Sequence, residues 1–278
     1  NDLMGLIYNN GVAGSGVSKK SPRKKPFKRF WEMFIRKFWI LFQINMIYVL
    51  FCIPIVTIGP ATAAMTALMR NIYLEKPQFV FHDFKEEFKK NFKQALPIGL
   101  LDLAALFMGN FVIYYYYVHH ADMDVTAKVL MVLSLLASIF VIMMSFYIYP
   151  QIVALDLKLG AIVRNSILLV FLNPLGDIIT LALFFGYAAL IWWFLWPVLM
   201  LIPVLPFGWI AFVAVFTCYP TIQKVLINPY YEKTGEKNPE IPDYEEEAVF
   251  SDRGGDEAEI DLRKKEKTSV HRGGKIIK

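Results

Sequence analysis

The stretch Phe51–Met65, FCIPIVTIGPATAAM, decides how this chain is laid out. An apolar run ends at Pro54, the motif Thr57-Ile58-Gly59-Pro60 follows, and a row of alanines and threonines comes after it. The stretch is either the end of one membrane helix with a loop behind it, or a tight hairpin between two membrane helices. The choice sets the side of the membrane on which every later segment lies.

The composition indicates a polytopic membrane protein. Of the 278 residues, 56% are hydrophobic and 19% are charged, with a mean hydropathy of +0.43; soluble domains carry about 25% charged residues. No Asp, Glu, Lys or Arg occurs in the 46 residues from Ile178 to Gln223, which suffices for two spans of roughly 20 residues each. No signal peptide is apparent, so the first apolar segment is expected to be retained. Cys52 and Cys218 lie in apolar segments and are expected to be packing residues.

The distribution of basic residues favours the hairpin. Without a return helix after Val56, six Lys/Arg between Arg70 and Lys93 would lie opposite the basic N-terminus, against the positive-inside rule. With a return helix, 28 of the 29 Lys/Arg are cytoplasmic and Lys128 is the exception. The prediction is an all-α polytopic membrane bundle with a short second helix and both termini in the cytoplasm. Its six membrane helices are expected near 38–56, 60–74, 95–118, 129–149, 178–201 and 207–222.

Three regions follow from this layout. Residues 1–37 are predicted to be a basic cytoplasmic segment, with an interfacial helix whose aromatic face is Phe27, Phe30, Trp31, Phe34 and Phe38. This helix suits the lipid headgroups of an anionic leaflet, or it is a topology anchor without lipid specificity. Residues 38–227 form the membrane domain, with cytoplasmic helices near 83–94 and 152–172. Residues 228–278 are charged and Pro/Gly-dotted, which predicts a disordered cytoplasmic tail.

The short second helix has the composition of a helix-packing site. Gly59, Ala63 and Ala67 recur every four residues, and Pro60 suits the first helical turn. Small residues at this spacing let helix backbones approach closely, which favours association in lipid. Gly59, Pro60, Ala63 and Ala67 are therefore predicted to pack closely, either within this chain or against a partner.

Two further features are candidates for binding. Phe84, Phe88 and Phe92 form an aromatic stripe on a short charged helix and are predicted to dock on another protein, the alternatives being the bilayer surface or this chain itself. Asp102 lies inside the third membrane helix, and an intramembrane carboxylate indicates either ion or proton binding or a hydrogen bond that fixes packing.

No catalytic residue, metal site, cofactor or nucleic-acid partner is predicted, because no motif for such chemistry is present. The cluster formed by His119, His120, Asp122 and Asp124 lacks the spacing of a metal site and is expected to be a polar surface loop. Asp177 is interpreted as a helix N-cap.

Three blocks resemble the YesL-like family of bacterial integral membrane proteins, a family of undefined function. They are CIPIVTIGPATAA (Cys52–Ala64), DFKEEFKKNFKQALPIGLL (Asp83–Leu101) and IVRNSILLVFLNPLGDIITL (Ile162–Leu181). Members typically accompany binding-protein-dependent ABC importers of oligosaccharides in Gram-positive bacteria. The resemblance therefore implies a location in the bacterial cell membrane and an accessory role in carbohydrate transport. The implied partners are ABC permease subunits and possibly ATPase subunits.

Three functions are compatible with these observations. The first is a non-enzymatic accessory subunit that packs against the permease helices of an importer. The second is a membrane-bound regulator or scaffold that recruits a cytosolic partner through the charged tail. The third is a stand-alone transporter that uses Asp102, although no inverted repeat is evident.

Overall fold

The computed structural model describes residues 26–119, 124–193 and 206–240, and the regular elements in these ranges are all helical. The helices are α1 (Pro26–Phe51), α2 (Ile58–Tyr73), α3 (Val80–His119), α4 (Val125–Ala154), α5 (Leu159–Leu172), α6 (Pro174–Trp193), α7 (Pro206–Ile222) and α8 (Asn228–Thr234). A short 3₁₀ turn, Ile55–Thr57, precedes α2, and a π-helical turn, Gln223–Ile227, joins α7 to α8.

Several helices are long and apolar enough to cross a membrane. By length and composition these are α1, α3, α4 and the continuous run from Phe207 to Thr234. The pair α5 and α6 adds a fifth candidate if it is one broken span, since the two are bent by 98° at Asn173. The described ranges are thus all-helical, with several apolar helices of the kind found in multi-pass membrane proteins.

Helix α2 forms the centre of the bundle, as 14 of its 16 residues are buried. It packs mainly against α3 and also contacts α1, α4 and α7. Its start is fixed by Thr57, whose hydroxyl donates to the carbonyl oxygens of Phe51 and Pro54, each at 2.6 Å. Pro60 lies in the first helical turn, where its missing N–H leaves no hydrogen bond unmade. The opening stretch therefore forms a tight turn between two packed helices.

Two predicted cytoplasmic helices merge with membrane helices. The basic segment from Pro26 continues without a break into α1, and the predicted helix 83–94 is the first part of the 40-residue α3. Continuity costs little here, because helix propagation adds one hydrogen bond for each residue that is ordered. The predicted helix 152–172 is divided between the end of α4 and α5.

The tail begins later than the sequence predicts. Residues 228–240, expected in the disordered region, form α8 and a segment that returns to the bundle. Charged residues can be ordered when tertiary partners compensate their desolvation. The remainder of the predicted tail, 241–278, lies outside the described residues, as do residues 1–25 and the 194–201 end of the fifth predicted span.

Candidate functional site

The most extensive buried polar site surrounds Arg70 in the last turn of α2. Arg70 donates from Nη2 to Glu240 Oε1 at 2.7 Å and from Nε to the Tyr219 hydroxyl oxygen at 2.6 Å. Tyr219 in turn donates to Glu240 Oε1, and Gln223 donates from Nε2 to Oε2 of the same carboxylate at 2.8 Å. We call Arg70, Tyr219, Gln223 and Glu240 the Arg70 cluster.

The ion pair of the Arg70 cluster is enclosed. The side chains of Arg70 and Glu240 are 2% and 1% exposed. Arg70 points into the protein and pairs with a carboxylate 170 positions away. Truncating one partner of such a pair costs about 3–5 kcal/mol, because the remaining charge stays buried without compensation.

Further charges surround this end of the bundle. Burial and the Arg70 charge lower the pKa of the nearby Lys76 amine, and Glu240 partly offsets this effect. Arg29 of α1 donates to the Tyr73 carbonyl oxygen at 2.8 Å, and Arg36 pairs with Glu75 at 3.0 Å. The N-terminal end of α1, the C-terminal end of α2 and the segment containing Glu240 therefore lie together.

The predicted packing residues lie inside the chain. Gly59, Pro60, Ala63 and Ala67 are all buried in α2. At Gly59, an added Cβ would lie 2.8 Å from the Gly99 Cα atom, closer than side chains approach backbone in proteins. The alternative left open by the sequence is resolved in favour of packing within this chain, chiefly against α3, so α2 offers no free face to a partner.

The predicted docking stripe is largely used in the same way. Phe84 is fully buried, and the rings of Phe84 and Phe88 contact that of Phe51 with centroid separations of 5.1 and 5.0 Å. Phe88 also contacts Phe92. Phe84 and Phe88 therefore pack against α1, which favours the alternative that the stripe contacts this chain itself, whereas Phe92 is only partly buried.

Asp102 links α3 to α4 by two hydrogen bonds. Its Oδ1 accepts from the Ser145 hydroxyl, and its Oδ2 accepts from the Tyr149 hydroxyl at 2.7 Å. Both carboxylate oxygens are therefore engaged with neighbouring side chains. Of the two roles left open by the sequence, the geometry favours a hydrogen bond that fixes helix packing.

Asp177 is not the N-cap of its helix. That position is taken by Asn173, whose Oδ1 accepts from the Gly176 N–H at 3.3 Å. Asp177 is fully buried, and Cys218 donates to its Oδ1 over 3.9 Å. The sequence contains one signal that Asn173, and not Asp177, is the N-cap, because an asparagine directly before a proline is itself typical of a helix start.

The polar loop after α3 is only partly described. The His119 ring stacks on Tyr115, and Asp124 caps α4 by accepting from the Ala127 N–H at 3.0 Å. His120 and Asp122 lie outside the described residues. At the start of α3 the ligand atoms of His82, Asp83 and Glu86 lie within 4.8 Å of one another, yet Asp83 Oδ2 already accepts from the Phe79 N–H, as expected of a helix cap.

Comparison with known proteins finds one family. The family described as "Protein of unknown function, DUF624" matches residues 41–115, from the second half of α1 through α2 and most of α3. No curated protein and no solved structure matches the chain. The matched region contains the α2 packing site and Arg70, together with the first resemblance block and the second. This part of the chain is therefore similar to a protein family whose function is unknown.

Proposed function

We propose that this chain is a non-enzymatic accessory subunit of a binding-protein-dependent ABC importer of oligosaccharides, in the cell membrane of a Gram-positive bacterium. The observation that carries the proposal is the resemblance of Cys52–Ala64 and Asp83–Leu101 to the YesL-like family. The match over residues 41–115 supports it by covering both blocks. The fold supports it further, because an all-helical multi-pass protein is suited to lateral packing against permease helices.

We propose a six-helix topology with the N-terminus and C-terminus on the cytoplasmic side. In this arrangement α2 is the short return helix. The contacts of Arg29 with Tyr73 and of Arg70 with Glu240 support it, since they place the two ends of the described chain at the same end of the bundle. The positive-inside rule then assigns this Lys/Arg-rich end to the cytoplasm. The exposed aromatic side chains of Phe27, Trp31 and Trp39 would lie in the anionic leaflet.

The surface proposed for the permease lies on α3 and α4. Helix α2 is enclosed, and Phe84 and Phe88 pack against α1. Helices α3 and α4, in contrast, carry a broad exposed apolar surface that includes Phe107, Phe111, Val129, Leu133 and Leu136. Lipid tails cover such a surface adequately, and permease helices replace them when shape and packing are complementary.

A second candidate function is a membrane-bound scaffold that recruits a cytosolic partner. The observation that favours it is the buried pairing of Glu240 with Arg70, which fixes the segment just before residues 241–278 to the bundle. The acidic block Asp243–Glu247 and the basic block Arg263–Lys267 follow this anchored segment in the sequence and are the candidates for binding a cytosolic partner.

Affinity purification in mild detergents distinguishes the two functions. We expect the full chain and a chain ending at Glu240 to recover the same permease subunits. Replacing Phe111 and Leu133 by Ala should weaken that recovery, whereas the matched control Leu168→Ala with Phe171→Ala, on exposed apolar sites of α5, should not. A cytosolic protein recovered by the full chain and lost on truncation would support the scaffold. Failure to recover transport subunits in several detergents would refute the importer proposal.

A further inference from the structure

The donors of the Arg70 cluster converge on one carboxylate. Arg70 supplies Nη2 and Nε, at 2.7 and 3.2 Å from Glu240 Oε1, and the Tyr219 hydroxyl donates to the same oxygen. Gln223 satisfies Oε2 at 2.8 Å. A planar carboxylate that accepts from a guanidinium and two neutral donors is strongly bound, because charge-assisted hydrogen bonds are the strong ones. The three donor residues thus have the chemistry of a carboxylate-binding site.

The donors of the site lie in or directly after packed helices, whereas the Glu240 carboxylate lies beyond the last helix that the structure describes. Arg70 lies in the central helix α2, and Tyr219 and Gln223 lie in and directly after α7. Glu240 lies beyond Gly235, which ends α8 with a left-handed φ of 69°, a conformation that favours glycine.

The segment that carries Glu240 has no regular secondary structure after α8. Residues 232–237 are exposed, and Asn238 positions the segment by donating to Asn228 Oδ1 at 3.2 Å and accepting from the Glu240 N–H at 2.9 Å. The donors are therefore held on or directly after packed helices, whereas the acceptor sits on an irregular segment whose contacts include those of Asn238 and Glu240.

The site remains electropositive if Glu240 leaves. Lys76 interacts electrostatically with both Arg70 and Glu240, and so adds a second positive charge. Glu87 of α3 also faces Arg70, but it is engaged by Asn91 and Lys90, at 2.8 and 3.3 Å. Without Glu240, the buried Arg70 charge would require another anion.

We propose that Arg70, Tyr219 and Gln223 form a carboxylate-binding site, and that Glu240 occupies it as a tethered ligand that a free carboxylate can replace. The tether gives Glu240 a high effective concentration at the site, so the closed arrangement is the resting one. Replacement of Glu240 frees the segment from Gly235 to Glu240. This inference concerns a site within the chain and holds whether or not the chain assembles with an importer.

Chemical rescue of the full-length protein tests the site. Glu240→Ala removes the Cγ methylene and the carboxylate, which together correspond to one acetate ion. We expect Glu240→Ala to lower the unfolding temperature in detergent, and acetate to restore several degrees more than chloride at equal ionic strength. The wild type should show no such difference, and adding Tyr219→Phe or Gln223→Leu to Glu240→Ala should reduce the rescue. Equal effects of acetate and chloride on Glu240→Ala would overturn the proposal.

A second measurement does not depend on the stability of that variant. Trypsin cleavage after the exposed residues Lys233 and Lys237 reports release of the segment in the wild-type chain. We expect saturating acetate to accelerate this cleavage several-fold relative to chloride, and the isosteric Glu240→Gln variant to be cleaved rapidly in either salt. Wild-type cleavage that is independent of the anion would show that Glu240 is a fixed structural partner and not a replaceable ligand.

Discussion

Arg70 is the residue at which the membrane helices and the C-terminal segment are joined. In the sequence it is the first of six basic residues between Arg70 and Lys93. The structure buries it, because Glu240 and Tyr219 accept the hydrogen bonds that water would otherwise have accepted from Arg70. No local pattern connects these positions, since Glu240 is 170 residues from Arg70.

The buried Arg70 charge also predicts that the stability of the protein depends on pH through the neighbouring Lys76. Burial and the Arg70 charge lower the pKa of its amine in the folded protein below the ordinary 10.5. Between these two pKa values the unfolded chain binds more protons than the folded one, so the free energy of unfolding rises with pH. We expect the wild type to gain stability relative to Lys76→Gln as the pH approaches 10.5. Unfolding temperatures across a pH series measure this gain.

The control for Lys76 is Lys89→Gln, which removes one exposed charge from α3. Its stability curve should follow that of the wild type across the series. If the wild type and Lys76→Gln respond to pH in parallel, Lys76 does not experience the buried Arg70 charge.

At the scale of elements, the crossing of α2 over α3 was the feature most accessible from sequence. The spacing of Gly59, Ala63 and Ala67 predicted a close helix contact, and α2 is indeed enclosed. The partner helix was not identified from sequence, although α3 carries Ala95 and Gly99 at the same four-residue spacing. The aromatic stripe of α3 has a related ambiguity, because an apolar stripe indicates that a helix face is covered but does not show whether this chain or another one covers it.

The α2–α3 crossing predicts opposite effects for two glycine substitutions. A Cβ added at Gly99 would lie 2.5 Å from the Gly59 backbone nitrogen, which forces the helices apart. We expect Gly99→Ala to destabilise the protein by about 1–3 kcal/mol, the typical range for overpacking. Gly186→Ala in α6 is the matched control, because an added Cβ there meets no atom within 4 Å. It should be neutral or stabilising by up to about 1 kcal/mol, since alanine favours helix.

Denaturant or thermal unfolding of both variants in one detergent provides the comparison. Gly99→Ala should also weaken the neighbouring Asp102 hydrogen bonds, because Asp102 lies one turn further along α3. Equal stability of Gly99→Ala and Gly186→Ala would mean that the two helix backbones are further apart than the structure shows.

At the scale of the whole molecule, hydropathy and charge predicted the helical membrane class and most of the helices. They did not predict which segments continue into one another as single long helices. The continuity of α1 and α3 through basic, polar sequence, and the ordering of residues 228–240, both depend on tertiary contacts. A charged residue whose partner is distant in sequence is predicted to be exposed to solvent. For this reason the sequence predicted that the tail begins at residue 228, although residues 228–240 belong to the ordered part of the chain.

The proposed topology predicts that the turn before α4 and the segment after α7 lie on opposite sides of the membrane. Single cysteines can be introduced at Asp124 and at Lys233, two exposed sites, after replacing Cys52 and Cys218 by Ala. In intact cells a membrane-impermeant maleimide should label Asp124→Cys. Lys233→Cys should react only after permeabilisation, because the positive-inside rule assigns the Lys/Arg-rich end to the cytoplasm. Inverted vesicles should give the reverse pattern. Labelling of both sites from the same side would exclude the six-helix arrangement, since the number of crossings between them would then be even.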